Sequence, residues 1–330
     1  MERISRCSFD DYDGLRRFID QIWSKDHVLG SNRDLMDFQH KTTTGYNFVI
    51  SKNSMNQITS ILGYIPTYQY DISLSQNIDC WLAIWKVDVD SATPGIGLAL
   101  LQWLEKNLSM QSVGAIGINS AVGIIYKALG YKTGILNQYY FINPKVKKFQ
   151  IAKPEISKTK QLFRSRTSLK NIDQSQLSTI NYHHRPQKSV EYIKNRYLDH
   201  PFYKYFMIGA YKDGKLLSAM IIRKIEINGS ACLRIVDIQG DYSKIGFIGS
   251  ELAGLLNEYD CEYIDCLNHG IPKQLFLDWG FSLRNSQSII PNYFEPFLQE
   301  NIDIQFAYRS TKEDYLIFKG DSDQDRPNIL

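Results

Sequence analysis

Residues 80–131 read CWLAIWKVDVDSATPGIGLALLQWLEKNLSMQSVGAIGINSAVGIIYKALGY. Residues 80–89 are almost continuously apolar and rich in strand-forming types, the pattern of a central buried strand. The loop DSATPGIG follows, and then LALLQWLEKNL places Leu98, Leu101, Leu104 and Leu108 on or near one helical face. A second unit repeats the order: VGAIGI (113–118) as a strand, SAVGIIYKALGY as a helix. Glycines at Gly95 and Gly97 let the backbone come close to a ligand, and the first amides of the following helix have no partner within it. With the helix dipole they make an anion site suited to a pyrophosphate.

Working outward, residues 2–7 read as a strand and 9–24 as a helix, with Phe9, Leu15, Phe18, Ile19 and Ile22 at helical spacing. Residues 27–41 read as a second helix capped by Ser31 or Asn32. Strands follow at 46–51 and 57–65, and 135–142 closes the half as a strand. The stretch 145–170 carries nine Lys or Arg and one acidic residue, Glu155, and reads as a basic connection. The second half repeats the coarse order: helix 188–200, strands 206–212 and 215–227 around Asp213-Gly214, buried strand 231–239, helix 246–259, strand 261–268, and a short helix 271–281 ending in Gly280-Phe281. YKALGY (126–131) and FLDWGF (276–281) mark the same point in each half, which implies an internal structural duplication.

With 330 residues the chain is long enough for two domains of about 150 residues each. A net charge of +3 gives no bulk argument for nucleic acid, and no apolar run reaches the roughly 18 residues that span a bilayer. The N-terminus lacks the apolar stretch of a signal peptide, so a cytoplasmic location is expected. The five cysteines show no C-x-x-C spacing, so reduced buried thiols and no metal are expected.

Gly95 and Gly97, then Asn119 at a strand end, Tyr126 seven residues on, and Gly130-Tyr131 together resemble the GNAT superfamily of acyl-coenzyme A N-acyltransferases. The likeness covers roughly residues 3–142. It departs at the usual Arg/Gln position, held here by Ala92, and at Pro94, which removes a backbone donor. The implied fold is α/β (α+β): two tandem GNAT-like domains, each a mixed, mostly antiparallel sheet flanked by helices. Residues 1–145 would form the acyl-CoA domain, 146–170 the basic linker, and 171–330 a degenerate acceptor-binding domain, since GDYSKIGFIG has lost the glycine signature.

The resemblance also implies site roles. Trp85, Val87 and Val89 would hydrogen-bond the pantetheine arm, with the Val87 amide polarising the thioester carbonyl. Gly95, Ile96, Gly97 and Leu98 would hold the pyrophosphate, and Asn119 would contact pantetheine or cap its helix. Tyr126 would protonate the departing thiolate. The base is open among Asp88, Asp90, His27 and Asp237; a carboxylate in LRIVDIQG must be paired or functional. Arg196, His200 and Arg234 are candidate substrate contacts, and the pair His183-His184 reads as a solvated loop.

Tandem proteins of this type, and the tail FKGDSDQDRPN (318–328), resemble bacterial surface-polysaccharide acyltransferases. They imply acetyl-CoA as donor and a nucleotide-linked amino sugar as acceptor. A Fem-type aminoacyltransferase of cell-wall assembly and a non-catalytic GNAT-like binding protein are the alternatives. The tail could engage the acceptor or be a frayed terminus.

Overall fold

The computed structural model describes residues 2–155, 165–180 and 184–328. Contacts divide the chain into two compact units: Met1–Thr133 with Phe306–Thr311 and Ser322–Leu330, and Gly134–Gln305 with Lys312–Asp321. In chain order the elements begin with β1 (Arg3–Ser8), α1 (Tyr12–Phe18), α2 (Val28–Ser31), α3 (Arg33–His40), β2 (Gly45–Lys52), β3 (Ile58–Pro66) and β4 (Ile78–Val87). They continue with α4 (Ile96–Asn107), β5 (Met110–Ile118), α5 (Ser120–Ala128), β6 (Lys132–Ile135), β7 (Asn137–Ile142), β8 (Thr167–Ile172), α6 (Gln174–Leu177) and α7 (Val190–Ile193). After these come β9 (Tyr205–Lys212), β10 (Lys215–Ile227), β11 (Ser230–Gly240), α8 (Gly249–Glu258), β12 (Tyr263–His269), α9 (Lys273–Trp279), β13 (Ser282–Leu283), β14 (Tyr293–Phe294), β15 (Phe297–Leu298), β16 (Gln305–Ser310) and β17 (Ile317–Phe318).

The first unit holds a seven-stranded sheet in the order β1-β2-β3-β4-β5-β16-β6. β1 to β4 pair antiparallel, and β4 with β5 is parallel. Leu100, Leu101 and Leu104 of α4 sit in one buried cluster with Leu62, Leu82, Val113 and Ala115 of the sheet. Each such side chain contributes about 1.5–3 kcal/mol on burial, which fixes α4 and the loop before it against β4.

Pairing of β4 with β5 ends at Leu82↔Ala115, although both strands run further. The β3 register jumps from Leu62↔Trp85 to Tyr64↔Leu82, so β4 carries an extra residue at Ala83–Ile84. Such a bulge bends its strand, and here it lies where β4 loses β5. The two strands therefore form a fork. The Asp88 amide donates to the Thr59 carbonyl at 2.9 Å, so by strand alternation the Val87 and Trp85 amides point away from β3, into the fork.

The second unit repeats this plan in an eight-stranded sheet, order β13-β7-β12-β11-β10-β9-β8, with β17 paired to β12. β11 and β12 are parallel for only Leu233↔Ile264, Arg234↔Asp265 and Ile235↔Cys266. The β10 register jumps from Ile222↔Ile235 to Ile221↔Asp237, leaving Val236 as the extra residue. This second fork contains the chain's own backbone. Ile317 and Phe318 pair with His269 and Asn268, the Lys319 amide donates to the Leu267 carbonyl at 3.2 Å, and the Gly320 amide donates to the Val236 carbonyl at 3.0 Å. Gly320 is required there, because a Cβ would fall 2.6 Å from the Val236 oxygen.

The two tandem GNAT-like domains expected from the sequence are the architecture observed, with four differences. The strand expected over 135–142 is split, and β7 joins the second sheet beside β12, while β16 takes the place between β5 and β6. The contact boundary is therefore at Thr133 rather than 145, because β7 finds its backbone partners in β12. β8 begins inside the stretch read as a linker, pairing with β9 from Thr167↔Lys212 onward. The central strand stops at Val87, and Val89 is 83% exposed in a turn where the Ser91 and Ala92 amides donate to the Asp88 carbonyl. Residues 156–164 of the basic stretch, and Tyr182 and His183, lie outside the described residues.

Candidate functional site

α4 starts from Gly95, whose φ of +86° is left-handed and favours glycine. The Ile96 amide donates to the Thr93 carbonyl at 3.1 Å and the Ala99 amide to the Gly95 carbonyl at 3.2 Å. The amides of Gly97 and Leu98 have no hydrogen-bond partner among the described residues. Of the amides expected to hold a pyrophosphate, these two stay available and that of Ile96 is taken by its own loop. Gly97 has a second reason to be glycine: a Cβ there would lie 3.0 Å from Val87 Cγ2, so α4 packs its first turn directly on β4. Substituting Gly95→Ala forces an alanine into the left-handed region at a cost of about 1–2 kcal/mol. The cost is expected to appear as a lowered unfolding midpoint of the first unit, measurable by urea titration.

The fork lies beside this loop. Trp85, on the free part of β4, has its ring 5.6 Å from that of Tyr126. Tyr126 is 1% exposed on α5, and the Tyr131 ring lies 4.9 Å from its own. Burial, with the charge of Glu105, raises the Tyr126 phenol well above its ordinary value, so the hydroxyl keeps its proton at neutral pH. That hydroxyl has no hydrogen-bond partner among the described residues. Tyr131 is anchored instead, donating to Glu105 at 3.0 Å.

Asn119 is the N-cap of α5, its Oδ1 accepting the Val122 amide at 2.9 Å. The capping role uses that oxygen and leaves the amide nitrogen for a ligand. The free donors of this loop and strand are thus the Gly97 and Leu98 amides and the fork-facing Trp85 and Val87 amides. One group opposes them: the Glu2 carboxylate accepts the Thr93 amide at 3.2 Å and puts negative charge at the loop.

The residues expected in the second half are built into its interior. Asp237 is fully buried and accepts from Lys188 at 2.5 Å, Tyr197 at 2.8 Å and Gln239 at 2.7 Å. A carboxylate with three such donors and no solvent access is not available to take a proton from a substrate. Arg234 is 1% exposed and grips Asp265 with two bonds of 2.9 and 2.8 Å, its remaining donors going to the Pro291 and Asn292 carbonyls. Arg196 is fully buried and donates to the Gly320 carbonyl at 3.1 Å. Nδ1 of His200 accepts the Phe202 and Tyr203 amides, so this ring caps a turn. These four side chains hold unit two together, and we assign them no substrate contact.

The tail carries a feature the sequence reading did not resolve. Ser322, Asp323 and Asp325 are buried within the first unit, so the terminus is not frayed. Ser322 Oγ donates to the Leu82 carbonyl at 3.4 Å, at the apex of the fork, and Gln324 packs on Gly117 of β5. Composition alone, rich in Asp and ending in Arg-Pro-Asn, gives no sign of this burial.

No family model matches the sequence, and no curated protein matches it. Solved structures do resemble it. A GCN5-related N-acetyltransferase from Anabaena variabilis matches with a TM-score of 0.57 and 11% identity, over 94% of this chain and 72% of that one. A conserved protein from Enterococcus faecalis, described as a probable N-acyltransferase, matches with 0.56 and 10%, over 94% and 73%. A glucosamine N-acetyltransferase region of a fungal multi-domain β-N-acetylglucosaminidase matches with 0.54 and 10%, over 94% of this chain and 38% of that one. At these identities the likeness defines the fold, that of the GCN5-related N-acetyltransferases. No helix among the described residues is long and apolar enough to cross a membrane.

Proposed function

We propose that the first unit is the donor-binding and catalytic unit of an acyl-coenzyme A-dependent N-acyltransferase. Acetyl-CoA is the donor, and the acceptor is the amine of a nucleotide-linked amino sugar of surface-polysaccharide assembly. The observation that carries the reading is the splaying of β4 from β5 beyond Leu82, with the Tyr126 ring against Trp85. The glucosamine acceptor of the fungal neighbour supports, by fold likeness alone, the amino sugar as acceptor class. The second unit is not a second donor site in this reading, because residues 317–320 occupy its fork with backbone hydrogen bonds.

In the mechanism each residue has one task. The Gly97 and Leu98 amides bind the pyrophosphate at the α4 N-terminus. The Trp85 and Val87 amides bind the pantetheine arm, and the Val87 amide donates to the thioester oxygen as charge develops on it. The amine attacks that carbonyl directly in a ternary complex; as the C–N bond forms and the C–S bond breaks, Tyr126 gives its proton to the departing thiolate, and the resulting phenolate takes up the proton shed by the amide nitrogen. The test is incubation with acetyl-CoA and a panel of nucleotide-linked amino sugars, followed by assay of free thiol. Thiol release that depends on one acceptor is expected. Calorimetry showing no coenzyme A binding would instead favour a non-catalytic protein, the reading that Ala92 and the Glu2 carboxylate at Thr93 support.

A further inference from the structure

Two cavities lie outside the fork. That of about 950 Å³ around the β9–β10 turn presents Lys212, Lys215 and Lys244. Lys244 is paired with Asp241 at 2.6 Å and Lys212 donates to a carbonyl, which leaves Lys215 alone on the exposed hairpin. That of about 710 Å³ lined by Asp10, Asp13 and Asp88 is an acidic surface, with its buried Asp11 already paired to Lys52. The side chains behind Tyr126 form a more closely connected set.

With no hydrogen bond on its hydroxyl, the Tyr126 ring is directed by packing. Trp85 supplies one wall, at 5.6 Å between ring centroids, and Tyr131 another, at 4.9 Å. A proton donor has to be held closely, since a misplacement of about 1 Å can cost about 10²-fold in rate. The walls must therefore be fixed themselves.

Tyr131 is held at its backbone, its face and its hydroxyl. Its amide donates to the Tyr126 carbonyl at 3.0 Å and the Gly130 amide to the Lys127 carbonyl at 3.1 Å, with Gly130 at a φ of +80°. This pair of bonds ends α5 in the tight reversal that a left-handed glycine permits. The Tyr131 hydroxyl donates to Glu105 Oε1 of α4 at 3.0 Å, and the Arg309 guanidinium of β16 lies 4.9 Å from the ring centroid. Arg309 donates to the same Glu105 oxygen at 2.6 Å, which closes a loop of contacts around the ring from residues 204 positions apart. The ion pair leaves 46% of the Arg309 side chain and 28% of the Glu105 side chain open to solvent, so it adds little to stability. Tyr131 is also 4% exposed within the leucine cluster of α4 and the sheet, a place that would bury a phenylalanine equally well. The hydroxyl tether therefore serves the orientation of the ring rather than its burial.

We infer that Tyr131, clamped by Glu105 and Arg309, is the positioning residue of Tyr126, fixing the phenol against Trp85 on the free part of β4. The inference rests on reading Tyr126 as the acid that protonates the thiolate. It adds a group that acts on the reaction only through the Tyr126 ring.

The experiment is a double-mutant cycle on the full-length protein, read as kcat and KM for acetyl-CoA by thiol release with the fastest nucleotide-linked amino sugar of the panel. Tyr131→Phe keeps the ring and the Glu105 charge and removes the tether. It is expected to lower kcat by about tenfold while KM for acetyl-CoA and the urea midpoint stay nearly constant. Glu105→Ala is expected to match it, and Glu105→Gln, which removes the charge and keeps an acceptor, to fall by less. In a Tyr126→Phe background, Tyr131→Phe is expected to lower kcat no further, because the ring it orients has no proton to give. An undiminished kcat in Tyr131→Phe overturns the inference, and so does an equal further loss in the Tyr126→Phe background. Should Tyr131→Phe not fold, a Glu105→Gln rate as low as that of Glu105→Ala overturns it. NMR of ring-labelled tyrosine follows the same variants without turnover. The Tyr126 signals are expected to shift or broaden in Tyr131→Phe and in Glu105→Ala, and unmoved signals overturn the clamp. A wild-type protein that releases no thiol with any acceptor would remove the acyltransferase reading, and the ring signals would still decide whether Tyr131 fixes Tyr126.

Discussion

Tyr126→Phe is expected to lower thiol release by about 10²–10⁴-fold, the range for losing a positioned general acid, while leaving coenzyme A affinity nearly unchanged. The substitution removes one oxygen and keeps the ring. The ring's packing against Trp85 at 5.6 Å and Tyr131 at 4.9 Å therefore survives. No hydrogen bond among the described residues is broken, so stability is expected to change little. The phenol is raised by burial and by Glu105, which keeps it in the acid form across the neutral range. The departing thiolate would otherwise leave unprotonated into a poorly solvated fork. Steady-state rates with a thiol reagent, paired with calorimetric coenzyme A binding, separate the two effects. A wild-type rate in Tyr126→Phe would remove this residue as the acid.

The strand–loop–helix around Gly95 was legible because each of its signals is local. A continuous apolar run, two glycines and a leucine face specify β4, the loop and α4 without reference to the rest of the chain. The β7/β16 exchange was not legible for the opposite reason. A strand's alternation states which face is buried and says nothing about which backbone it pairs with. Asn137–Ile142 is equally acceptable beside β5 or β12.

Asp237 illustrates a different limit. A carboxylate interrupting an apolar strand must be paired or functional, and sequence cannot choose between them. Its partners Lys188 and Tyr197 lie 49 and 40 residues away. Arg234, three residues before it on the same strand, is taken by Asp265. The fork of the second unit is closed by residues more than 50 positions downstream of β11, and the pattern IFKGD carries no mark of that use.

Lys188→Met is expected to destabilise the second unit by about 3–5 kcal/mol, the cost of breaking a buried ion pair from one side. Lys188 is 5% exposed and bridges two carboxylates, at 2.5 Å to Asp237 and 2.7 Å to Asp321. Methionine fills most of the volume and removes the cation that bridges them. The loss should depend on pH with a definite sign. Burial already pushes the Asp321 carboxyl up to about 6 in the folded protein, against an ordinary 3.8. The folded state thus holds a proton that the unfolded chain has released, and this group's contribution to stability falls as pH rises from about 4 through about 6. Without Lys188 the Asp321 carboxyl is pushed higher still. The variant should be closest to wild type in acid and furthest from it at neutral pH, where both carboxylates must ionise or one must stay protonated at a cost. Urea titrations near about pH 5 and about pH 8 report the difference. An unchanged unfolding midpoint at the higher pH would mean that solvent reaches the two carboxylates and that the enclosed triad does not hold the β11 end of the sheet.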